Sequence, residues 1–290
     1  MSKNPIIFAL QLALGDKSGS FDIVHRHISN WHELPLVITG MKNSIWMRTR
    51  DGRKYNITIK NNFVEMDYKK RKVRFVYSKR SEIVHILLML IGEFIVEPHK
   101  GLNVKGRKVV DIGAYIADTA IYFALNGAKH VYAIEPYPHS CEIAMRNINA
   151  NNLQKRITLI NAGCGSKRGT MIVNPEFENL AGAEIKQSRS GKEIRIITLE
   201  WLVKKYNLRS AALKIDCEGC EYDIISGTQA GTLKKFQEML IEYHYGYEPL
   251  AKKLQDIGFR TKHTQPETSY NANTKERKMS MGDIHASLGE

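Results

Sequence analysis

The sequence predicts an α/β fold: a doubly wound, Rossmann-like parallel sheet preceded by a smaller, basic and β-rich N-terminal region. From Lys108 onward, short β-branched runs alternate with helical patterns, which is typical of crossover units in a parallel sheet. Before that point, residues 44–77 form short segments of alternating polarity separated by turn residues. A chain of 290 residues with 43% hydrophobic residues can bury one large core, or one large core and a small second one.

The N-terminal region contains four predicted strands and then a helix. The strand segments are "SIWMRT", "YNITIK", "FVEMDY" and "KVRFVY". Asp51-Gly52, between the first two segments, is a strong hairpin signal, and the aromatic residues of these segments suit half-buried strands. A helical pattern over residues 81–94 follows. We therefore expect a substrate-binding or lid region over residues 1–94 and a cofactor-binding domain over residues 95–290.

Two apolar segments imitate export or membrane signals. Residues 1–19 place one lysine before about ten mostly apolar residues, but Gln11 interrupts the run and the basic part is thin, so we expect no cleaved leader. The longest apolar run, residues 83–96, contains His85 and Glu93 and is too short to span a bilayer. The sequence therefore predicts a buried helix there and no transmembrane segment.

The cysteine content predicts a cytoplasmic protein. Four cysteines in a chain of this length do not make a disulfide framework. Cys217 and Cys220 have the spacing of a zinc or redox pair. A structural zinc ion needs four ligands, and no second pair lies at a suitable spacing, so we expect no metal site.

Residues 109–136 predict the binding site of an adenosine-containing cofactor. A buried strand ends near Asp111, Gly113-Ala114 allow a tight turn against a ligand, and a helix begins near Asp118. Glu135, 24 residues beyond Asp111, ends the next strand, where an acid can accept hydrogen bonds from both ribose hydroxyls. The alternative is a strand, turn and helix in which these acids are incidental.

The same stretch favours S-adenosyl-L-methionine over a dinucleotide. A nicotinamide or flavin site would place three glycines so that the backbone approaches a pyrophosphate, and this chain has no such triplet. S-adenosyl-L-methionine has no pyrophosphate. It carries a sulfonium and an ammonium cation, which acids suit better than a phosphate cradle does.

A second acidic group follows the predicted fourth strand, in "LKIDCEGCEYDIISG". Asp216 falls at the end of that strand and, in a doubly wound sheet, faces the crevice beside the first strand; Glu218 and Glu221 follow within one turn. Charged side chains this close to a buried strand cost free energy unless they are hydrated or take part in binding or catalysis. Glu221 and Asp223 could instead decorate the first turn of a helix, an interpretation we prefer for Asp223.

A histidine follows the predicted fifth strand, in "LIEYHYG". Glu242 and His244 are expected to point toward one edge of the crevice. His244 could act as a general base at neutral pH or orient an acceptor. The alternative is an ordinary hydrogen-bonded loop residue.

Together these segments resemble the FkbM-type methyltransferases, class I enzymes that use S-adenosyl-L-methionine. The resemblance rests on "VVDIGAYIADTAIYFA", "YAIEPYP", "LINAGCG", "LKIDCEGCEYDIISG" and "IEYHYG", in this order over about residues 95–260. It implies a seven-stranded sheet whose last strand is antiparallel, here near "KMSMGDIHAS". One departure is Ala117, where the family usually has glycine.

The resemblance also implies roles for individual residues. Asp111, Gly113 and Asp118 would border the methionine moiety, Glu135 the ribose, and Asn161 and Ala162 the adenine side. The expected cofactor-binding residues are Asp111, Gly113, Ala114, Tyr115, Asp118, Glu135, Pro136, Asn161, Ala162 and Asp216. The expected catalytic residues are Asp216, Glu218, Glu221 and His244.

Charge is the main indication of the acceptor. Residues 1–108 carry 20 basic and 9 acidic side chains, so +11 of the net +13 lies in the first third of the chain. This bias favours a polyanion such as RNA, with tRNA the commonest structured target. In "DYKKRKVRFVYSKR", residues 67–80, lysines and arginines could bind phosphates while Tyr68, Phe75 and Tyr77 stack on bases. Strand alternation could instead place Phe75 and Tyr77 in the core.

Two other functions stay open at this point. The chain could methylate a hydroxyl of a sugar, lipid or other small molecule, with the N-terminal region serving only as a lid and oligomer contact. It could also be a binding module without turnover, although the acids of the cofactor site argue against this. In either enzyme the acceptor attacks the sulfonium methyl in line, so the protein mainly aligns and desolvates the reactants.

Overall fold

The computed structural model describes residues 20–173, 191–270 and 278–289. The N-terminal apolar segment, for which no cleavage is expected, lies outside these residues. The chain divides into two compact units, one of Met1–Pro98 with Asn149–Asn152 and the other of His99–Ile148 with Leu153–Glu290. We describe each unit by itself.

The first unit contains a four-stranded antiparallel sheet in the order β1-β2-β3-β4. Its strands are β1 (Ser44–Arg48), β2 (Lys54–Ile59), β3 (Phe63–Tyr68) and β4 (Arg71–Val76). Its helices are α1 (Ser20–His27), α2 (Leu34–Ile38) and α3 (Glu82–Leu90), the last continued by one π-helical stretch, Ile91–Val96. The strands form where the alternation of apolar and polar residues predicts them.

Alternation along each strand gives this sheet one apolar face. Ile45 and Met47 of β1, and Val73 and Phe75 of β4, are buried, whereas the residues between them are exposed or half-buried. The apolar run of residues 83–96 forms the predicted buried helix, with Leu90 fully enclosed. Among the described residues, no helix has both the length and the apolar character needed to cross a membrane.

The hairpin between β3 and β4 closes through Lys69 and Lys70. Tyr68 pairs with Arg71, so the turn has two residues, and both have positive φ angles, 46° and 63°. Two-residue hairpins of this form normally use Asn-Gly, because residues without glycine's freedom are strained there. The most basic part of the chain is therefore built around a turn for which lysine is a poor choice.

The second unit contains the main sheet, in the order β13-β15-β12-β11-β5-β6-β7. Its strands are β5 (Lys108–Ile112), β6 (His130–Glu135), β7 (Ile157–Asn161), β11 (Ala211–Ile215), β12 (Phe236–Tyr243), β13 (Phe259–His263) and β15 (Lys278–Leu288), and β14 (Glu267–Tyr270) pairs with β15. β15 runs antiparallel to both neighbours. The seven-stranded, mostly parallel sheet with an antiparallel last strand confirms the predicted fold.

Helices and a small sheet accompany the main sheet. The helices are α4 (Asp118–Leu125), α5 (Pro138–Ala150), α6 (Leu199–Tyr206), α7 (Glu221–Gly227), α8 (Ala230–Leu233) and α9 (Glu248–Asp256). A three-stranded sheet joins β8 (Gly163–Cys164), β10 (Lys192–Ile197) and β9 (Gly169–Val173), with β10 in the middle.

The centre of the main sheet determines where a ligand can bind. β11 is buried along its whole length and lies between β5 and β12. Because β5, β6, β11 and β12 are parallel, their carboxyl ends meet at one edge. In open α/β sheets ligands bind outside the carboxyl ends of the strands, so the polar residues at this edge form the candidate site.

Candidate active site

The ends of β5 and β11 are joined by a buried lysine. The Nζ atom of Lys214 lies 3.5 Å from Oδ1 of Asp111 and 3.3 Å from Oδ2 of Asp216. Lys214 and Asp111 are almost completely buried, and charges in such a place need partners. Thr119 donates a 2.6 Å hydrogen bond to Oδ2 of Asp111. Asp111 and Asp216 thus share one cation, and the sequence signal for it is a lysine inside an otherwise apolar strand.

The turn after β5 requires glycine at residue 113. Gly113 has φ +79°, and a Cβ atom there would lie 1.7 Å from the carbonyl oxygen of Asp216. The amides of Gly113 and Ala114 both donate to the carbonyl of Ile134, at 3.0 Å each. The backbone of this turn therefore passes directly against the loop after β11, which brings the two strand ends together.

Ala117 occupies the position where glycine is usual in the family that the sequence resembles. Its φ is +66°, in the left-handed region, and its side chain is fully buried ahead of α4. Left-handed backbone costs a non-glycine residue about 1–2 kcal/mol. Burial of one methyl group returns about 0.8 kcal/mol, and glycine would add flexibility to the unfolded chain. These terms nearly cancel, which explains why alanine is tolerated.

We expect Ala117→Gly to change the free energy of unfolding by less than about 1 kcal/mol, because of that cancellation. Ala117→Val should cost more than about 2 kcal/mol, since a β-branched residue is both strained at this φ and too large for the buried site. Urea denaturation of the two variants measures the difference. Equal stability of the two variants would contradict the left-handed, enclosed geometry.

Glu135, at the end of β6, holds the turn after β5. Its Oε2 accepts a 2.9 Å hydrogen bond from the amide of Tyr115, and its Oε1 accepts one of 2.9 Å from the amide of Tyr137. Burial raises the pKa of Glu135 to about 7, against the opposing effect of these two donors. A carboxylate has about four acceptor positions, so two remain for ligand hydroxyls.

Two other residues expected at the cofactor contact the backbone at Glu135. Asn161, at the end of β7, donates from its side-chain amide to the carbonyls of Glu135 (3.0 Å) and Pro136 (2.8 Å). The backbone amide of Ala162 donates to the Glu135 carbonyl at 3.0 Å. Asp118 is half-buried in the first turn of α4. The structure thus brings the residues after β5, β6 and β7 to one edge of the sheet, and the side-chain amide of Asn161 ties two of these strand ends together.

The loop after β11 is fixed by Glu221. This carboxylate is fully buried; its Oε2 accepts from the amide of Gly219 at 2.9 Å, and its Oε1 from the amide of His244 at 3.1 Å. Nδ1 of His244 lies 3.0 Å from the same Oε1 atom. Glu221 therefore links the loop after β11 to the end of β12. It does more than place an acid in the first turn of a helix.

His244 is enclosed by carboxylates. Its Nε2 atom lies 3.2 Å from Oε2 of Glu218 and 3.9 Å from Oδ1 of Asp216. Burial by itself would lower the pKa of His244, but the Glu218 and Glu221 carboxylates outweigh burial and raise that pKa to about 11. The neighbouring carboxylates favour the protonated imidazole, whereas a general base needs the neutral form. The general-base role of His244 stays a prediction, and the geometry also allows His244 to orient a ligand.

The pKa values of two acids in this region, Asp216 and Glu242, shift in opposite directions. Burial raises the pKa of Asp216, but Lys214 and His244 outweigh it and hold the pKa below its usual range. The negative charge of Asp216, together with burial, raises the pKa of Glu242 well above its usual range. Asp283 lies opposite Glu242 in the β12–β15 register. The sequence did not indicate Asp283, because only the strand pairing brings it here.

Cys217 and Cys220 form a disulfide within this loop, with Cα atoms 5.5 Å apart. Joined as a disulfide, these two sulfurs offer no thiolate to a zinc ion. Cys141 and Cys164 are free and buried. The disulfide encloses Glu218, whose φ is +59°, so a strained backbone position directs this carboxylate toward His244.

The structure of the basic segment, residues 67–80, disagrees with the RNA-binding hypothesis on two points. Tyr68 and Phe75 are buried, so they cannot stack on bases; the core interpretation of Phe75 is correct. Glu65 forms ion pairs with two of the outward-facing cations, lying 2.8 Å from Lys72 and 2.7 Å from Arg74. The reason is the two-residue period of the strand, which places aromatic and basic residues on opposite faces.

Comparison with known proteins gives one family and several solved structures. The model of the methyltransferase FkbM domain matches residues 111–261, which is more than half of the chain. No curated protein matches the chain significantly.

The similar solved structures share little sequence with the chain. The TrmK protein of M. capricolum, in complex with S-adenosyl-homocysteine, is 14% identical with a TM-score of 0.42, covering 65% of each chain. The M. jannaschii tRNA m1G37 methyltransferase is 14% identical with a TM-score of 0.41, covering 86% of this chain and 61% of its own. The precorrin-6y C5,15-methyltransferase of Geobacter metallireducens is 16% identical with a TM-score of 0.33, covering 63% and 82%. At these values the similarities carry no argument about the acceptor.

Proposed function

The chain belongs to the FkbM methyltransferase family and is an S-adenosyl-L-methionine-dependent methyltransferase, and we propose that its acceptor is a hydroxyl of a neutral, polyhydroxylated molecule such as a sugar. The observation that carries this proposal is a group of acidic side chains next to the strand ends where the cofactor would bind. Asp216, Glu218 and Glu242 lie at the carboxyl ends of β11 and β12. The Asp216 and Glu218 carboxylates repel phosphate, and all three side chains can accept hydrogen bonds from hydroxyls.

The cofactor would bind at the ends of β5, β6 and β7. Glu135 would accept hydrogen bonds from the ribose hydroxyls, with Asn161 and Ala162 near the adenine. Asp111, Asp118 and Asp216 would lie near the methionine moiety, together with the turn at Gly113 through Tyr115. The shared cation Lys214 balances part of this negative charge, which leaves a net attraction for the sulfonium and the ammonium group.

Transfer is an in-line displacement. The acceptor oxygen attacks the methyl carbon, the carbon–sulfur bond breaks, and the leaving group is neutral S-adenosylhomocysteine. The hydroxyl proton passes to a neighbouring carboxylate, Asp216 or Glu218, or to water. The fixed strand ends align the two reactants, which is the largest contribution that a protein can make to such a step.

The affinity for S-adenosyl-L-methionine should rise between about pH 6 and pH 8. Glu135 has its pKa raised to about 7 by burial, so below that pH it is protonated and loses acceptor capacity for the ribose. Above it, the carboxylate accepts both hydroxyls. Isothermal titration calorimetry over this range measures the effect.

The matched control is Glu135→Gln, which keeps the shape of the side chain but cannot ionise. We expect its affinity to be at least tenfold weaker at pH 8, about 1.4 kcal/mol, and to be independent of pH. A flat profile in the unsubstituted protein, or an unchanged affinity in the variant, would exclude Glu135 from the ribose site.

RNA is a second candidate acceptor, because one outward-facing group in the first unit suits it. Trp46 is 54% exposed on β1, Arg48 follows on the same face, and Lys54 lies directly opposite Arg48. In the described part of the chain neither cation has an ion-pair partner. An aromatic ring beside two unneutralised cations can bind a base and a phosphate.

One experiment separates the two acceptors. Methyl transfer from labelled S-adenosyl-L-methionine is measured into total RNA, including tRNA, and in parallel into glycan, lipid and metabolite fractions, with Asp216→Ala as the inactive control. We expect label in a hydroxyl-bearing fraction that Asp216→Ala abolishes. Label in RNA that falls with Trp46→Ser and Arg48→Ser, but not with the exposed Lys252→Ser, would establish the RNA alternative.

A cytoplasmic location is retained as a prediction. Its support from cysteine content is weaker than the sequence indicated, because disulfides such as Cys217–Cys220 are rare in that compartment. Redox-dependent probing of this pair in cells tests it.

A further inference from the structure

We propose that Asp216, Glu218 and His244 bind a divalent transition-metal cation, Mn²⁺ foremost, at the carboxyl ends of β11 and β12. The cation site itself follows from the geometry of these residues. Its function, to bind and acidify the acceptor hydroxyl, rests on the proposed hydroxyl acceptor.

The three side chains can reach one ion. One ligand atom from each residue lies within 4.8 Å of the others. Nε2 of His244 is 3.2 Å from Glu218 and 3.9 Å from Asp216. Metal–ligand bonds of about 2.1 Å place neighbouring ligand atoms about 3 Å apart. A small inward movement of the two carboxylates is therefore enough to complete the coordination.

His244 is oriented as a ligand. Its side chain has no exposed surface, and its Nε2 atom faces the carboxylates of Glu218 and Asp216 without a well-aligned hydrogen bond among the described residues. Its Nδ1 atom faces the buried Glu221 carboxylate at 3.0 Å. Histidine ligands almost always donate their second N–H to a carboxylate or carbonyl, which fixes the tautomer and aims the other nitrogen at the metal. Glu221 is thus a positioning residue for His244.

The two carboxylates remain accessible to a ligand. The side chains of Asp216 and Glu218 are 30% and 23% exposed, whereas His244 is enclosed. A bound ion would have protein on one side and open coordination positions on the other. Such positions can hold water or an acceptor hydroxyl, as in other catalytic metal sites.

The donor set indicates the class of metal. Two carboxylate oxygens suit Mg²⁺ and Mn²⁺, and one imidazole nitrogen favours the softer of these. The disulfide removes the only thiols of this loop, so the soft ligands that select zinc at structural sites are absent from the loop. Mn²⁺ therefore fits best.

A metal bound by Asp216 and Glu218 would make the acceptor hydroxyl easier to deprotonate, and water would then take the proton in place of these carboxylates. When a hydroxyl binds the ion, its pKa falls and its O–H bond breaks, with the proton leaving to water. The resulting alkoxide oxygen forms the new bond to the methyl carbon as the carbon–sulfur bond breaks. No histidine base is needed, which agrees with the enclosed position of His244.

The experiment measures Mn²⁺ binding directly, by electron paramagnetic resonance and by calorimetry, on the full chain without cofactor or acceptor. We expect one Mn²⁺ per chain with a dissociation constant below about 100 μM, since two carboxylates and an imidazole supply charged and neutral ligands to the ion. Glu218→Gln and His244→Asn should each weaken binding at least tenfold. Glu142→Gln, an exposed helical glutamate, is the matched control and should bind as the unsubstituted protein does.

Glu218→Gln keeps the test decisive if His244→Asn fails to fold, because Glu218 is partly exposed. No binding at 1 mM Mn²⁺, or equal affinity in Glu218→Gln and Glu142→Gln, overturns the proposal. Methyl transfer into each fraction, with and without Mn²⁺, is scored separately. Specific Mn²⁺ binding together with methylation of RNA would retain the cation site and refute only the hydroxyl acceptor.

Discussion

Gly113→Ala is expected to reduce the affinity for S-adenosyl-L-methionine by more than a hundredfold, about 2.8 kcal/mol. The added Cβ atom would lie 1.7 Å from the carbonyl oxygen of Asp216, which is backbone and cannot rotate away. The turn after β5 and the loop after β11 must then separate. Because Asp111 and Asp216 lie on these two segments, their spacing around the cofactor is lost.

The matched control is Gly127→Ala. Gly127 also has a positive φ, +97°, but a Cβ atom there would meet only Lys105, and no atom of it closer than 3.5 Å. It should lose about 1–2 kcal/mol of stability through backbone strain and keep its cofactor affinity. Calorimetric titration measures the cofactor affinity of both variants, and urea denaturation measures their stability. Together they distinguish backbone strain from a steric clash with the loop after β11. Normal binding by Gly113→Ala would refute the close contact between the two segments.

Glu221→Ala is expected to lower the free energy of unfolding by about 3–5 kcal/mol, the usual result of removing one partner of a buried ion pair. The substitution removes the acceptor of the Gly219 amide and of both His244 donors, all away from water. His244 would then be left facing only Glu218 and Asp216. Urea denaturation near neutral pH measures the loss.

Two comparisons make this result specific. Glu142→Ala removes an exposed glutamate from α5 and should change stability by less than about 0.5 kcal/mol. Glu221→Gln keeps one acceptor oxygen and should fall between the two alanine variants. A loss below about 1 kcal/mol in Glu221→Ala would contradict the buried network.

The sequence is sufficient to predict the sheet and the positions of the acids at its strand ends. Alternating strand and helix patterns define β5, β6, β11 and β12. An acid that follows a buried parallel strand must lie at the carboxyl edge of the sheet. Asp111 and Glu135 could be placed for this reason.

The electrostatics of the site could not be predicted in the same way. The environment of His244 depends on residues from two separate loops, so no local pattern reveals that its pKa is raised rather than ordinary. The shared ion pair of Lys214 depends on β11 lying beside β5. By contrast, strand alternation was enough to offer burial of Phe75 as an alternative to base stacking.

The Lys214 ion pairs also constrain the order in which the chain can mature. Asp111 is made 103 residues before Lys214, so during synthesis β5 emerges long before the cation that neutralises its carboxylate. Until then, burying Asp111 would cost the full desolvation of a charge. The strands that are made first are therefore expected to stay partly hydrated. The centre of the sheet becomes fully packed only when β11 inserts beside β5. Chaperone dependence and aggregation during expression should concentrate in that interval.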